Sequence, residues 1–257
     1  MSHLAALIFD VDGTLAETER DGHRVAFNRA FEAAGLDWYW SIGHYGRLLD
    51  ISGGKERIRH FIETEHPDLQ TPAGFDSRWQ FIQALHQSKT EFYKREIASI
   101  SLCPGIKRLL NEARAAGLRL AIATTSTFEN VLPLLENQLG LDSPDWFEVI
   151  AAGDSVPHKK PAPDIYHYVL KRLSLPPSAC LAFEDTHHGL IAATQAGIKT
   201  VITVNSYTAQ QDFAKAAAVL SHLGDPNQPI QVIKGKIEAY YVSVAVAKQI
   251  WAQSPAP

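Results

Sequence analysis

Leu4 to Phe9 is an unbroken apolar run that stops at an acidic residue, and its length and flanks predict a fully buried parallel strand. Short runs of the same kind recur much later, at Leu118 to Ala123, Phe147 to Ala151, Ala179 to Phe183, Lys199 to Val204 and Ala216 to Leu220. Between them the spacing of apolar residues predicts helices over 105–116, 128–139, 163–173 and 187–196. Strands alternating with helices imply βαβ units and a mainly parallel sheet.

The stretch from 20 to 97 breaks this alternation. It carries no strand run and predicts helices over 21–34, 42–49, 54–65 and 75–97. In the first of these, Val25, Phe27, Ala30, Phe31 and Ala34 mark one face and Gly35 ends the element. The pattern therefore gives an α/β fold: a Rossmann-like parallel sheet core from 1–16 plus 101–257, with an inserted α-helical cap domain over 17–100. The hinges fall near Ala16 and Ser99 to Pro104. Trp38-Tyr39-Trp40 is expected to pack inside the cap. Ile230 to Trp251 reads as an extra helix with Ile237, Tyr240, Tyr241, Val244 and Ile250 on one face, packed on the core or joining a dimer. The tail Ser254-Pro255-Ala256-Pro257 is expected to be disordered.

Composition narrows the function classes. The 257 residues are 46% hydrophobic, enough for a full core plus a smaller domain. A net charge of −4 argues against nucleic acid as the main partner. Cys103 and Cys180 lie far apart, which suggests buried thiols in a reducing compartment. The N-terminus lacks a basic n-region and a cleavage signal, and the apolar stretch Ala239 to Ala247 is too short for a bilayer. A soluble cytoplasmic protein without a membrane partner is expected.

In an open parallel sheet, ligands bind beyond the carboxyl ends of the strands. After the first strand comes Asp10-Val11-Asp12-Gly13-Thr14-Leu15. Two carboxylates two residues apart at a strand end can divide the work, one attacking as nucleophile and one moving protons, while Gly13 allows the tight turn. After the second comes Thr124-Thr125-Ser126, whose hydroxyls and N–H groups suit phosphate oxygens; Thr124 also reads as a helix N-cap. Lys159-Lys160-Pro161 offers a lysine to balance phosphate charge. Glu184-Asp185, after the fourth strand, supplies hard oxygen ligands suited to Mg²⁺ and can also cap helix 187–196. His187 and His188, adjacent on a helix, face different directions and are read as structural.

These four stations, in this order, resemble the haloacid-dehalogenase superfamily, and the insertion after the first motif resembles its β-phosphoglucomutase-like subgroup. Thr18 to Arg24, Gly53-Gly54-Lys55-Glu56-Arg57 and Leu85 to Glu91 resemble the cap of the CbbY-type proteins, whose characterised members dephosphorylate xylulose-1,5-bisphosphate. The resemblance implies that Asp10 forms an aspartyl-phosphate and that Asp12 protonates the leaving alkoxide and then activates water. It implies that Mg²⁺ is held by Asp10, the Asp12 carbonyl and Asp185, with Glu184 in support. It also implies that Thr124, Lys160 and the Thr125 N–H hold the phosphoryl group, Pro161 selecting Lys160 over Lys159. Lys55 and Lys89, with Gly53 and Gly54, align with contacts to a distal phosphate, and Glu17 and Arg24 are candidate substrate contacts.

The expected activity is that of a Mg²⁺-dependent phosphatase acting on a small phosphorylated sugar, as a monomer or small homo-oligomer. A sugar phosphomutase or a less specific sugar phosphatase is the alternative. A haloacid dehalogenase has no use for Asp12 and Glu184-Asp185, and a non-catalytic binding protein would show an eroded motif.

Overall fold

The computed structural model describes residues 3–253, so the 254–257 tail lies outside the described residues. The chain divides into two compact units, 1–17 with 101–257, and 18–100. The divisions fall after Glu17 and after Ile100; Glu17 belongs with the first unit, where its N–H donates to Ser101 O, and not with the helical segment as the 17–100 boundary had it.

Strand β1 (Ala6–Phe9) opens the chain, and the helical unit follows with α1 (Arg24–Ala33), α2 (Ile42–Leu48), α3 (Gly54–Glu65) and α4 (Arg78–Glu96). A short π-helical turn, Glu19–His23, precedes α1. Aromatic rings fill this unit: Phe31 lies edge-on to Trp38 and Trp40, and Trp40 and Phe61 are 5.3 Å apart. Asn28 fixes Trp40 from both sides, accepting from its N–H at 2.8 Å and donating to its carbonyl at 3.0 Å. Trp38 and Trp40 are thus core residues as expected, whereas Tyr39 is 67% exposed. Ala34, placed on the apolar face of α1, is instead an exposed C-cap, and Ala26 takes a buried position.

The other unit is a seven-stranded sheet in the order β3-β2-β1-β4-β5-β6-β7. Its remaining strands are β2 (Arg119–Ala123), β3 (Val149–Ala151), β4 (Cys180–Glu184), β5 (Lys199–Thr203), β6 (Ala218–Leu220) and β7 (Val232–Lys234). All pairs are parallel except β6 with β7. Interleaved are α5 (Ile106–Ala115), α6 (Phe128–Leu139), α7 (Asp164–Leu173), α8 (His187–Gln195) and α9 (Val244–Gln253). Side chains alternate across the sheet. Ala6 and Ile8 join a layer with Ile165, Val169 and Leu173 of α7 and Ala192 and Ala193 of α8. On the opposite face Phe9 stacks on Phe183 at 4.8 Å.

The C-terminal segment differs from its expected form. Residues 232–234 form an antiparallel edge strand, 235–243 is irregular, and helix begins only at Val244. Gly235 has φ +114° and breaks the helical run that the apolar spacing suggested. Tyr240, assigned to the packed face, is 75% exposed. Among the described residues no helix is long and apolar enough to cross a membrane.

Trp40 is fully buried among rings in the helical unit. Trp40→Ala is expected to cost about 3–5 kcal/mol. Hydrogen exchange should show amide protection falling over 18–100 while β1 and β4 keep theirs; equal loss in both units would count against separate cores.

Candidate active site

Strand register assembles the site. Phe9 is level with Ile122 of β2 and with Phe183 of β4, so Asp10, Ala123 and Glu184 emerge side by side at the carboxyl ends of the three central strands. This is the switch point of the sheet, since β2 and β3 lie on one side of β1 and β4 to β7 on the other. The Lys160 ammonium enters this junction 4% exposed and donates to Asp10 Oδ1 at 2.7 Å, Ala123 O at 2.8 Å and Glu184 Oε1 at 2.5 Å. Three N–H donors thus meet three acceptors, one from each strand.

Tyr166, on the first turns of α7, donates its hydroxyl to the same Glu184 oxygen at 2.6 Å. Glu184 Oε2 is buried without a hydrogen-bond partner and lies against Gly189, where an added Cβ would overlap the carboxylate. Asp185 accepts from Asn205 Nδ2 at 2.8 Å. Gly13, at φ +84°, makes the turn that follows the first motif, and a Cβ there would overlap Asp185. Asp12 Oδ2 accepts from the Ser126 hydroxyl. Thr124 is buried, and its Oγ1 accepts from Ser126 N–H at 3.1 Å; Thr125 is half-buried beside it.

Capping falls elsewhere than the sequence suggested. Thr186, not Glu184 or Asp185, caps α8 by accepting from Gly189 N–H, and Thr127, not Thr124, stands at the N-cap of α6. The acidic pair and Thr124 are therefore released from that structural duty. His187 is tied to the 211–212 segment through its N–H and ring, in keeping with a structural role.

The core station residues Asp10, Lys160, Glu184 and Asp185 are brought together, with Asp12, Thr124 and Thr125 on the adjoining strand ends. Glu17 lies within the same unit, where Cys103 Sγ approaches its carboxylate at 3.8 Å. The remaining candidates belong to the helical unit. Arg24 donates to the carbonyls of Arg20 and Trp40. Gly53 is the N-cap of α3, Gly54 and Lys55 open it, and Lys55 is half-buried. Lys89 is 3% exposed, 2.8 Å from His23 Nδ1 and over the rings of Phe27 and Tyr93.

Tyr166, Ser126 and Asn205 escaped the sequence reading as site residues. Ser126 stood in the quoted Thr-Thr-Ser run, and Tyr166 follows Lys160 by six residues in a helix whose inner face was predictable. Asn205 follows a strand, but no neighbouring motif singled it out.

The electrostatics are lopsided. Asp10 and Glu184 share one ammonium, that of Lys160. Burial lifts the Asp10 carboxyl to about 8, with Glu184 and Asp12 adding to the rise and Lys160 opposing it. For Lys160, burial acts against the charge, but Asp10 and Glu184 together raise its pKa, so it stays protonated. Burial and Glu184 also lift the Tyr166 phenol, which keeps it a donor. Oxygens of Asp10, Glu184 and Asp185 lie within 4.8 Å of one another, all buried. Hard, buried carboxylate oxygens grouped in this way fit a divalent cation.

A family model for haloacid dehalogenase-like hydrolases matches residues 4–197. Protein CbbY of Rhodobacter capsulatus is 50% identical over 215 residues, which cover 83% of this chain and 91% of the relative. The plasmid-borne CbbY of Cupriavidus necator is 47% identical over 229 residues, 88% of this chain and 89% of that one. The crystal structure of a CbbY mutant from Rhodobacter sphaeroides in complex with xylulose-(1,5)bisphosphate superposes with a TM-score of 0.77 at 43% identity, covering 85% of this chain and 94% of that one. The chain belongs to the haloacid dehalogenase-like hydrolase family. Within it the chain is of the CbbY type, and it is a phosphatase.

The unfolded chain releases the Asp10 proton near pH ~4, the folded one near about 8. Between these values the folded state binds more protons, so the contribution of Asp10 to stability falls as pH rises. Asp10→Asn, which keeps an acceptor for Lys160, should raise the thermal midpoint in EDTA at pH 8 by several degrees. That gain should vanish by pH 4; calorimetry at both pH values checks it.

Proposed function

We propose that the protein is a Mg²⁺-dependent phosphatase that hydrolyses xylulose-1,5-bisphosphate through an aspartyl-phosphate on Asp10. The observation that carries this reading is the buried Asp10 carboxylate, held by Lys160 beside Glu184 and Asp185 at the switch point of the sheet. The choice of sugar rests on the related CbbY whose crystal structure holds that bisphosphate.

Asp10, Asp185 and the Asp12 carbonyl would hold the cation, with Glu184 in support. When bound, Mg²⁺ supplies positive charge to the phosphoryl oxygens and offsets the surplus of carboxylates. Asp10, fixed by Lys160, attacks phosphorus in line with the leaving sugar oxygen. Lys160, Thr124 and the Thr125 N–H steady the charge spread over the transferring oxygens. Asp12, whose Oδ2 accepts from the Ser126 hydroxyl, gives its proton to the leaving alkoxide. The same carboxylate then takes a proton from the water that cleaves the acyl phosphate, and Asp10 is regenerated.

Glu17, Arg24, Lys55 and Lys89, with Gly53 and Gly54, are the proposed substrate contacts, on resemblance to the CbbY-type cap. The helical unit 18–100 serves as that cap. The reading extends to a cytoplasmic enzyme, a monomer or small homo-oligomer, without nucleic-acid or membrane partners.

Phosphate release from a panel of sugar mono- and bisphosphates, with Mg²⁺ and with EDTA, tests the proposal. Metal-dependent turnover is expected to favour xylulose-1,5-bisphosphate and to disappear in Asp10→Asn; Lys160→Met should lower kcat by about 10²–10³. Broad turnover would leave a general sugar phosphatase, and isomerisation of a hexose phosphate without phosphate release would make the protein a mutase.

A further inference from the structure

After β5 the chain turns sharply over 205–209, and Asn205 organises the turn. Its carbonyl accepts from the N–H groups of Thr208 at 3.2 Å and Ala209 at 3.1 Å, and its own N–H donates to Thr208 Oγ1 at 3.0 Å. Its side-chain Oδ1 accepts from Tyr207 N–H at 2.9 Å. A backbone N–H can only donate, so the amide oxygen must face Tyr207 and the amide nitrogen must face the other way. There Nδ2 donates to Asp185 Oδ2 at 2.8 Å. Asp185 is 2% exposed. The turn at Gly13 closes over the pair, since a Cβ at that position would come within 2.7 Å of Asn205 Nδ2.

We propose that Asn205 is a positioning residue that sets the rotation of the Asp185 carboxylate for divalent-cation binding; this rests on the metal reading above. A carboxylate that rotates freely gives up rotational freedom when it binds a cation, and one already fixed does not. The donor is a neutral amide, so it orients Asp185 without itself bringing a charge to it. Asp10 and Glu184, by contrast, share the Lys160 ammonium. The turn, not the site, decides which face of the amide Asp185 meets.

Isothermal titration of Mg²⁺ into the substrate-free full-length protein tests this in wild type, Asn205→Ser and Asn205→Ala. A serine hydroxyl can accept from Tyr207 N–H and keep the turn, yet is too short to reach Asp185. Alanine removes both interactions. Both variants are expected to bind Mg²⁺ about tenfold more weakly. Asn205→Ser should keep the wild-type thermal midpoint in EDTA, and its kcat should approach wild type once Mg²⁺ is raised, with substrate KM unchanged. Wild-type Mg²⁺ affinity in Asn205→Ser, whatever Asn205→Ala does, would overturn the inference and leave Asn205 a turn former. Wild-type protein that takes up no Mg²⁺ would overturn the metal reading and this inference with it.

Discussion

Lys160 is the charge around which the sheet's carboxyl edge is arranged. A buried ammonium is tolerated only where each N–H finds an acceptor and an opposite charge lies close. The three acceptors come from three strands, and the pairing of β1 with β2 and β4 makes them level. A slip of one residue in either pairing would turn Asp10, Ala123 or Glu184 to the wrong face of the sheet. The geometry of the candidate site and the register of the central strands are therefore one constraint, and the apolar runs that set the register also place the polar groups at their ends.

Lys160 does not neutralise its surroundings. Asp10 and Glu184 share its single charge, and burial already drives Asp10 toward its protonated form. An arrangement of this kind costs stability in isolation, as functional sites commonly do. The cost is borne by the layers beneath, where Phe9 stacks on Phe183 and Ile8 meets the inner face of α7. A divalent cation and a phosphoryl group would bring opposite charges that together complete the site.

The helical unit meets buried charge differently. Arg57 is 7% exposed, donating to Tyr45 Oη at 2.8 Å and to the carbonyl of Leu48 at 3.1 Å, and Glu19 accepts from the same tyrosine. Lys89 rests on aromatic faces beside His23. Its buried cations meet rings and carbonyls, and for Arg57 also the Glu19 carboxylate at 4.0 Å, and so help to hold the helices together, which is why charge alone could not tell a structural lysine from a ligand contact in 18–100. The sequence read Lys55 and Lys89 alike; the fold half-buries one and buries the other.

The same distinction explains what the sequence disclosed in the core. Most of the candidate site residues stand directly after apolar strand runs, so hydrophobic period and position marked Asp10, Thr124 and Glu184-Asp185 without any coordinates. The inserted helices were legible from their 3.6-residue spacing. The 230–251 segment was not, because its apolar residues fit a helical face while Gly235 and the open edge of β6 favour a strand. Tyr166 and Asn205 were invisible for another reason. Each acts through a hydrogen bond to a carboxylate remote in sequence, and its residue type is common on helices and in turns. What makes Asn205 significant is that Tyr207 N–H occupies its oxygen, and only the folded turn supplies that fact. Chemistry at strand ends follows from pattern, whereas the orientation of that chemistry follows from who occupies the other half of each polar group.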